Sequence, residues 1–395
     1  MIKCRICKSK INNFPIVHFK SMPLTDEFVK INNLGKEYLG SIKIYECQSC
    51  RVVQNPNNFN YSSYYHDYNY SSGHSILTKK FMNKFAKKCI ESFKKINQKK
   101  PLSVIEAGSG DGEQLIYFKK NKVSKVLGVE PSKMLCKESR SKNVPVLRSL
   151  YDDSILNKFK KKFDICISSY TFDHMPNPVN YLKTSYDLLN ENGILAIEIH
   201  DFEKIASRPE WCLIEHEHTI YLNKVSVKNL LLRYGFKVLK INPIPQKETR
   251  ANSLIVIAVK KFNFFNNYYH IPSKSIYYKI QSLVDKTIKG IDRWISMIPE
   301  KENLIGYGLG GRGVMTLAYL KNIKKFSAMF DSNYKVDNLY TPKTHIPIKP
   351  IDEISLYHNS WCLVFSYGYY SEIKNNLLSK KFSSSKIISL KKFYN

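Results

Sequence analysis

Four cysteines stand as two close pairs, Cys4-Arg-Ile-Cys7 and Cys47-Gln-Ser-Cys50, with 39 residues between the pairs. Each pair can put two thiolates on one tight turn, and two such turns complete a tetrahedral four-sulfur site for zinc. Four protein ligands leave no open position for water, so the expected zinc is structural. The other five cysteines, Cys89, Cys136, Cys166, Cys212 and Cys362, are scattered and are expected as core residues.

A second chemical signal lies at 102–112, LSVIEAGSGDG, where an apolar strand ends in Glu106 and Gly108, Gly110 and Gly112 follow. Glycines at such a strand-to-helix turn let the backbone pass close beneath a ligand. Nicotinamide enzymes use a related turn. The acidic residue two before the first glycine and the G-x-G-x-G run favour S-adenosylmethionine instead. Eighteen residues beyond Gly112 the strand VLGVE ends at Glu130, whose carboxylate is placed to take two ribose hydroxyls. In the segment Asp173-His174-Met-Pro-Asn-Pro178, His174 is expected to shape the cofactor loop.

The third signal is Glu215-His216-Glu217-His218, with Tyr221 three further on. Two histidines at i and i+2 beside carboxylates suit a metal, although no third ligand is evident. They suit a general base held by its neighbour equally well, and an exposed charged loop is the bland alternative. A tyrosine-rich run, 61–70, followed by Ser71-Ser72-Gly73-His74, carries too many hydroxyl-bearing rings for a simple core strand. It suits the lining of a polar pocket for a sugar or base, or the cover of an interdomain surface.

The elements that must hold these groups follow from the pattern. Strands are expected at 102–106, 126–130, 144–147, 163–168, 194–199, 235–241 and 253–260, the last two as an antiparallel end, with a helix over 179–189 and a turn at 190–193. After an aromatic, lysine-rich linker at 260–269, a long amphipathic helix is expected over 273–297. A second strand–glycine turn–helix, LIGYGLGGRG at 304–313, then opens a smaller Rossmann-like domain with Asp331 ending its next strand. The whole is an α/β protein of three parts: a zinc-binding module at 1–75, a class I S-adenosylmethionine methyltransferase domain at 76–265, and a C-terminal Rossmann-like domain at 266–395. A length of 395 residues suits two or three domains.

Composition narrows the classes. The chain is 43% hydrophobic and 24% charged, a globular balance rather than a disordered one. No stretch approaches the roughly 18–20 apolar residues of a membrane helix, and the start has no apolar signal core. A cytoplasmic protein without membrane partners is therefore expected. Sixty-two Lys and Arg against 33 Asp and Glu give +29, which invites a nucleic-acid partner. The lysines, however, are spread through the chain with Asn, Ile and Tyr, as a general bias would spread them. An RNA methyltransferase with a zinc module is the runner-up, and a catalytically silent homologue the third reading.

Taken in order, the paired CxxC front, Pro23-Leu24, DYNYSS at 67–72, EAGSGDG at 106–112, HEH at 216–218, GYGLGGRG at 306–313 and YTPKTHIPI at 340–348 resemble the sugar C-methyltransferases of deoxysugar biosynthesis. The resemblance covers essentially the whole chain. It implies S-adenosylmethionine and one structural zinc ion as cofactors and a nucleotide-linked 4-keto sugar as substrate. It also implies a base that makes an enolate. That base would be His218, with Glu217 beside it and Tyr68 and His74 assisting from the tyrosine-rich segment. The chain departs from the family pattern at Glu215, where Tyr is usual, at Ser71, where His is frequent, and at Arg250-Ala-Asn-Ser253, where Gly-Gly-Ser is usual.

Overall fold

A computed structural model describes residues 2–11, 14–25, 27–57, 61–66, 76–159, 161–208, 210–243, 253–261, 277–332 and 338–394. The chain forms two compact units. The first holds 1–13, 46–202 and 218–274; the second holds 14–45, 203–217 and 275–395. Residues 1–75, read from sequence as one module, are thus shared between the units.

The first unit is built on a seven-stranded sheet: β1 (Ser103–Ala107), β2 (Lys125–Glu130), β3 (Val146–Arg148), β4 (Phe163–Ser169), β5 (Leu189–His200), β6 (Phe236–Pro243) and β7 (Ser253–Lys260). Their order across the sheet is β6-β7-β5-β4-β1-β2-β3. β7 runs antiparallel to both β5 and β6, and the other pairs are parallel. Every residue of β7, SLIVIAVK, is buried, as a strand covered on both faces must be. The long helix α1 (Ile76–Asn97) packs Phe81, Phe85 and Phe93 against Val104, Ile165, Ile194 and Ile257 of the sheet.

Local chemistry starts the other helices. Ser132 caps α3 (Lys133–Ser141) by accepting from Leu135 N, and α2 (Glu113–Lys120) follows Gly112 directly. Asn177 caps α4 (Pro178–Leu188), whose first residue is the proline that suits that position. Asn223 and Ser226 form a reciprocal cap on α5 (Lys224–Arg233). The expected turn at 190–193 lies inside β5. Phe163 pairs with Leu189 and Ile165 with Ile194, so the chain bulges there, with Asn192 in the left-handed region at φ 57°.

In the second unit, β8 (Leu304–Tyr307), β9 (Phe326–Phe330), β10 (Trp361–Val364) and β11 (Ile387–Ser389) form the parallel part of a second sheet. Three two-residue strands, at Pro347–Ile348, Leu339–Tyr340 and Val29–Lys30, extend it beyond β9. Its core gathers Ile305, Phe330, Val364 and Leu377. The helices α6 (Ile280–Ser296), α7 (Gly311–Tyr319) and α8 (Tyr370–Ser379) belong to this unit, as does the antiparallel pairing of Val17–Pro23 with residues 39–44. The expected start of the long helix, 273–276, lies outside the described residues.

Candidate active site

The two cysteine pairs fold as near-copies of one turn. Lys8 N donates to Cys4 O at 3.1 Å and Arg51 N to Cys47 O at 2.8 Å, with Lys8 and Arg51 at φ 64° and 59°. The turns bring Cys4 Sγ to 3.6 Å from Cys50 Sγ and Cys7 Sγ to 3.5 Å from Cys47 Sγ. All four sulfurs lie within 4.8 Å of one another. A tetrahedron of Zn–S bonds of about 2.3 Å requires sulfurs about 3.8 Å apart, so the four residues fit the ion. Ile6 N and Gln54 Nε2 donate to Cys4 Sγ at 3.4 and 3.3 Å, as donors around a thiolate should. Four thiols this close cannot all ionise without a cation; hydrogen bonding to Cys4 pushes the Cys47 thiol up to about 11. The remaining five cysteines are buried.

Arg5, inside the first turn, ties this knot to the segment before α4. Its guanidinium donates to Asn55 O at 3.1 Å, Asn57 O at 2.9 Å and Pro176 O at 2.8 Å. Beyond Gln54, Asn55 N donates to Thr219 O at 3.0 Å, and Val53–Gln54 pairs with Ile220–Tyr221. Thr219 N in turn donates to Asp173 O at 2.8 Å, and its hydroxyl to Met175 O at 2.7 Å. His218 is thereby held beside Asp173 and His174.

The glycine turn after β1 is shaped for a ligand. Gly108, Gly110 and Gly112 have φ of 61°, 53° and 77°, where a side chain is strained. A Cβ on Gly108 would strike Thr171, and one on Gly112 would lie 2.7 Å from Ser139 Oγ. At Gly110 no atom of the described residues would lie within 4 Å of such a Cβ. Glu130 accepts from Gly110 N and Ser132 N, both at 2.9 Å, which fixes the end of β2 against the turn. Glu106 is 2% exposed, and its Oε2 has no partner among the described residues. Burial, then the charges of Asp111 and Glu130, push its carboxyl well above the usual carboxylate range. Lys142 offsets part of this charge, at 2.6 Å from Asp111 and 3.4 Å from Glu113. A cationic ligand with hydroxyls and an amino group fits such a turn, and S-adenosylmethionine is one.

Close to that turn, past Thr171, the ends of β4 and β5 and the segment 218–221 gather three histidines around one carboxylate. His218 Nε2 lies 3.1 Å from His174 Nε2, and Tyr65 OH lies 2.9 Å from His174 Nδ1. His200 Nδ1 donates to Asp173 Oδ2 at 2.6 Å. The ring of His200 sits 5.0 Å from that of His218 and 4.7 Å from that of Tyr170. Burial lowers the pKa of His174, against the pull of the Asp173 charge. Burial alone would raise the pKa of Asp173, but the imidazoles of His200, His174 and His218 together, His200 most of all, outweigh it and hold the carboxyl far below its usual range.

The residues singled out from sequence therefore do not all meet. Gly108, Gly110, Gly112, Glu106 and Glu130 form one turn, and His174 and His218 touch. Glu217, in the second unit, accepts from the hydroxyl and N–H of Thr25 at 3.3 and 3.4 Å. His216 Nε2 donates to Met22 O at 2.9 Å, in the stretch that includes Pro23-Leu24. Glu215 lies against Gly311 at the start of α7. Tyr68, His74 and Ser71 lie outside the described residues. Sequence reasoning missed Tyr65, Tyr170 and, most of all, the Asp173–His200 pair. Its one legible signal was a histidine at the carboxyl end of a central strand, where α/β sheets place their sites.

The strand order, with an antiparallel seventh strand between fifth and sixth, and the glycine turn with its acidic partner on β2 define an S-adenosylmethionine-dependent class I methyltransferase. Comparison with known families agrees along the chain. Residues 4–65 match a domain described as "putative zinc binding domain", 79–241 a methyltransferase domain and 255–389 a C-methyltransferase C-terminal domain. The chain belongs to the three-domain, zinc-binding C-methyltransferases. Among curated proteins none matches. Solved structures that resemble it include the plantazolicin methyltransferase BpumL with SAH, at 14% identity and TM-score 0.38 over 47% of this chain and 85% of that one. The related BamL complex, with SAH and a triazolic desmethylPZN analog, aligns at 15% identity and TM-score 0.39 over 48% and 86%. An S-adenosylmethionine-dependent methyltransferase from Mesorhizobium loti aligns at 15% and 0.34 over 40% and 91%. Among the described residues no helix is long and apolar enough to cross a membrane.

Proposed function

We propose that this C-methyltransferase acts on a nucleotide-linked keto-deoxysugar, by way of an enolate. The observation that carries the proposal is the contact of His218 with His174 in a cluster of three histidines and one carboxylate. Oxygen and nitrogen acceptors already own a lone pair. A carbon acceptor has none until a base removes a proton, and a neighbouring keto group makes that removal affordable by taking the charge on oxygen. A base beside the donor turn is what such an acceptor requires, and His218 supplies one.

In this reading His218 takes the proton from carbon. Only one proton fits between the facing Nε2 atoms of His218 and His174, so that proton can pass along His174 toward Tyr65. Gly108, Gly110, Gly112, Glu106 and Glu130 would hold the donor, with His174 closing the site beside Thr171. S-adenosylmethionine supplies the electrophilic methyl group when bound. The roles of Glu217, Tyr68 and His74 rest on the family resemblance.

The test is incubation with S-adenosylmethionine and a panel of nucleotide-linked 4-keto-6-deoxy sugars, followed by mass spectrometry. A gain of one methyl group is expected, lowered on the order of 10²–10⁴-fold in His218→Ala with donor binding retained. Wild-type turnover in that variant would remove His218 as the base. A blank panel with donor binding intact would remove the sugar.

A further inference from the structure

The Asp173–His200 pair has no task in the mechanism above, although it is the tightest polar contact of the cluster, at 2.6 Å. The geometry points to His200, backed by Asp173, as the acid–base residue on the oxygen side of the enolate reaction. This rests on the enolate reading just given and deepens it.

Nδ1 of His200 is committed to Asp173 Oδ2, so the working atom is Nε2. Among the described residues no hydrogen bond reaches that nitrogen. The His200 side chain is 18% exposed, whereas His218 is 3% exposed with its Nε2 engaged by His174. An imidazole fixed through Nδ1 by a buried carboxylate, with Nε2 open, is the arrangement that proton-transferring histidines use when a third group orients them. Asp173 also supplies the counter-charge for the imidazolium form, and it stays ionised although buried.

A second feature supports the assignment. The ring of Tyr170 lies 4.7 Å from that of His200, tilted by 41°, on a backbone held at φ 51°. Bulky residues rarely adopt that region, and such strain persists where surrounding structure enforces it, often at sites. The Tyr170 hydroxyl bonds Ser253, and Ser253 is the cross-strand partner of His200. Around His200 thus stand Asp173, Tyr170 and His218; Tyr170 is held by Ser253 and His218 by His174, while Asp173 Oδ2 is given to His200.

The balance runs in two steps. As His218 takes the carbon-bound proton, the C–H electron pair moves into the ring system and His200 Nε2–H gives its proton to the keto oxygen, forming an enol. As the carbon–methyl bond forms, the enol O–H proton returns to His200 Nε2 and the C=O bond is restored. The carbon–sulfur electron pair of the donor stays on sulfur.

The decisive variants are His200→Ala, His200→Gln, Asp173→Asn and Asp173→Glu, each checked for S-adenosylmethionine affinity. On a keto sugar turned over by the wild type, His200→Ala should lose on the order of 10²-fold in methyl transfer. His200→Gln, which can donate but cannot shuttle a proton, should keep more deuterium uptake from heavy water than methyl transfer. Asp173→Glu should recover part of what Asp173→Asn loses. Rates within twofold of wild type in His200→Ala would overturn the proposal, as would a divalent-ion requirement that His200→Ala abolishes while the cysteine zinc remains.

A wild type inactive on every keto sugar would instead count against the substrate reading. Nitrogen-15 spectra of labelled histidine still decide the inference in that case. Protonated Nδ1 with a titrating Nε2, altered by Asp173→Asn, is expected; a bare Nδ1 with fixed Nε2–H would refute it.

Discussion

Arg5, set between the first two cysteine ligands, donates to the carbonyl of Pro176 at 2.8 Å, two residues past His174. The zinc turn and the loop that carries Asp173 and His174 are therefore parts of one construction. A structural ion at one end fixes the chain that aligns imidazoles at the other.

Replacing Cys4 and Cys7 by Ser should cost zinc and folding together, because structural zinc contributes its binding energy to the folded state, about 10–16 kcal/mol in isolated zinc peptides. Arg5→Ala should keep zinc, as measured by metal analysis. It should still slow methyl transfer, by up to roughly 10²-fold, since small misplacements of catalytic groups are costly. Unchanged turnover in Arg5→Ala would separate the zinc turn from the site.

Two glycine substitutions should behave differently. Gly112→Ala adds a methyl group 2.7 Å from Ser139 Oγ and 3.1 Å from Val144 Cβ, on a backbone at φ 77°. It should lower the melting temperature and donor affinity together. Gly110→Ala meets no atom of the described residues, so beyond about 1 kcal/mol of left-handed strain its effect should fall on donor affinity. Calorimetric binding and thermal unfolding of the two variants would show whether the space at Gly110 belongs to the donor.

Glu106 gives the donor site a pH signature. Its carboxyl is raised well above the ordinary Glu value by burial, so the free protein holds a proton there that an unfolded chain would release. That contribution to stability is full below about pH 4.3 and falls as pH rises toward the raised value. A cationic donor favours the ionised form. Binding should therefore release a proton, and affinity should climb with pH through the raised value and level off above it. Calorimetry in buffers of different ionisation enthalpy measures that proton, and Glu106→Gln should remove it.

The net charge of +29 permits a sharp test against a nucleic-acid acceptor. Binding of a nucleotide sugar should weaken only modestly between low and physiological salt. RNA bound through six to ten phosphates would lose about 10³–10⁵ in affinity over 50 to 200 mM salt. A slope of that size for a transcript that also becomes methylated would reverse the substrate reading.

Much of this fold was legible in the residues. Seven strands, the glycine turn and the CxxC pairs announce themselves through local pattern, because each depends on neighbours within a few positions. What was not legible depends on partners far apart in the chain. Asp173 and His200 are separated by 27 residues and meet because β4 and β5 are adjacent and parallel. Arg5 and Pro176 meet across 171 residues. The residues of Glu215–His218 read as one cluster in sequence, yet their side chains take separate partners: Gly311, Met22, Thr25 and His174. Spacing alone cannot show where a chain leaves one unit for another. The bulge at 190–193 looked like a turn because Asn190-Glu-Asn-Gly193 has turn chemistry, and the strand simply absorbs it.

Transfer through an enolate leaves the methyl group on carbon. The most direct measurement uses S-adenosylmethionine carrying a carbon-13 methyl group with a uniformly carbon-13-labelled nucleotide-linked keto sugar, read by NMR. The expected result is a transferred methyl with one-bond carbon–carbon coupling to the ring carbon beside the keto group. A transferred methyl attached to oxygen or nitrogen, without that coupling, would contradict it.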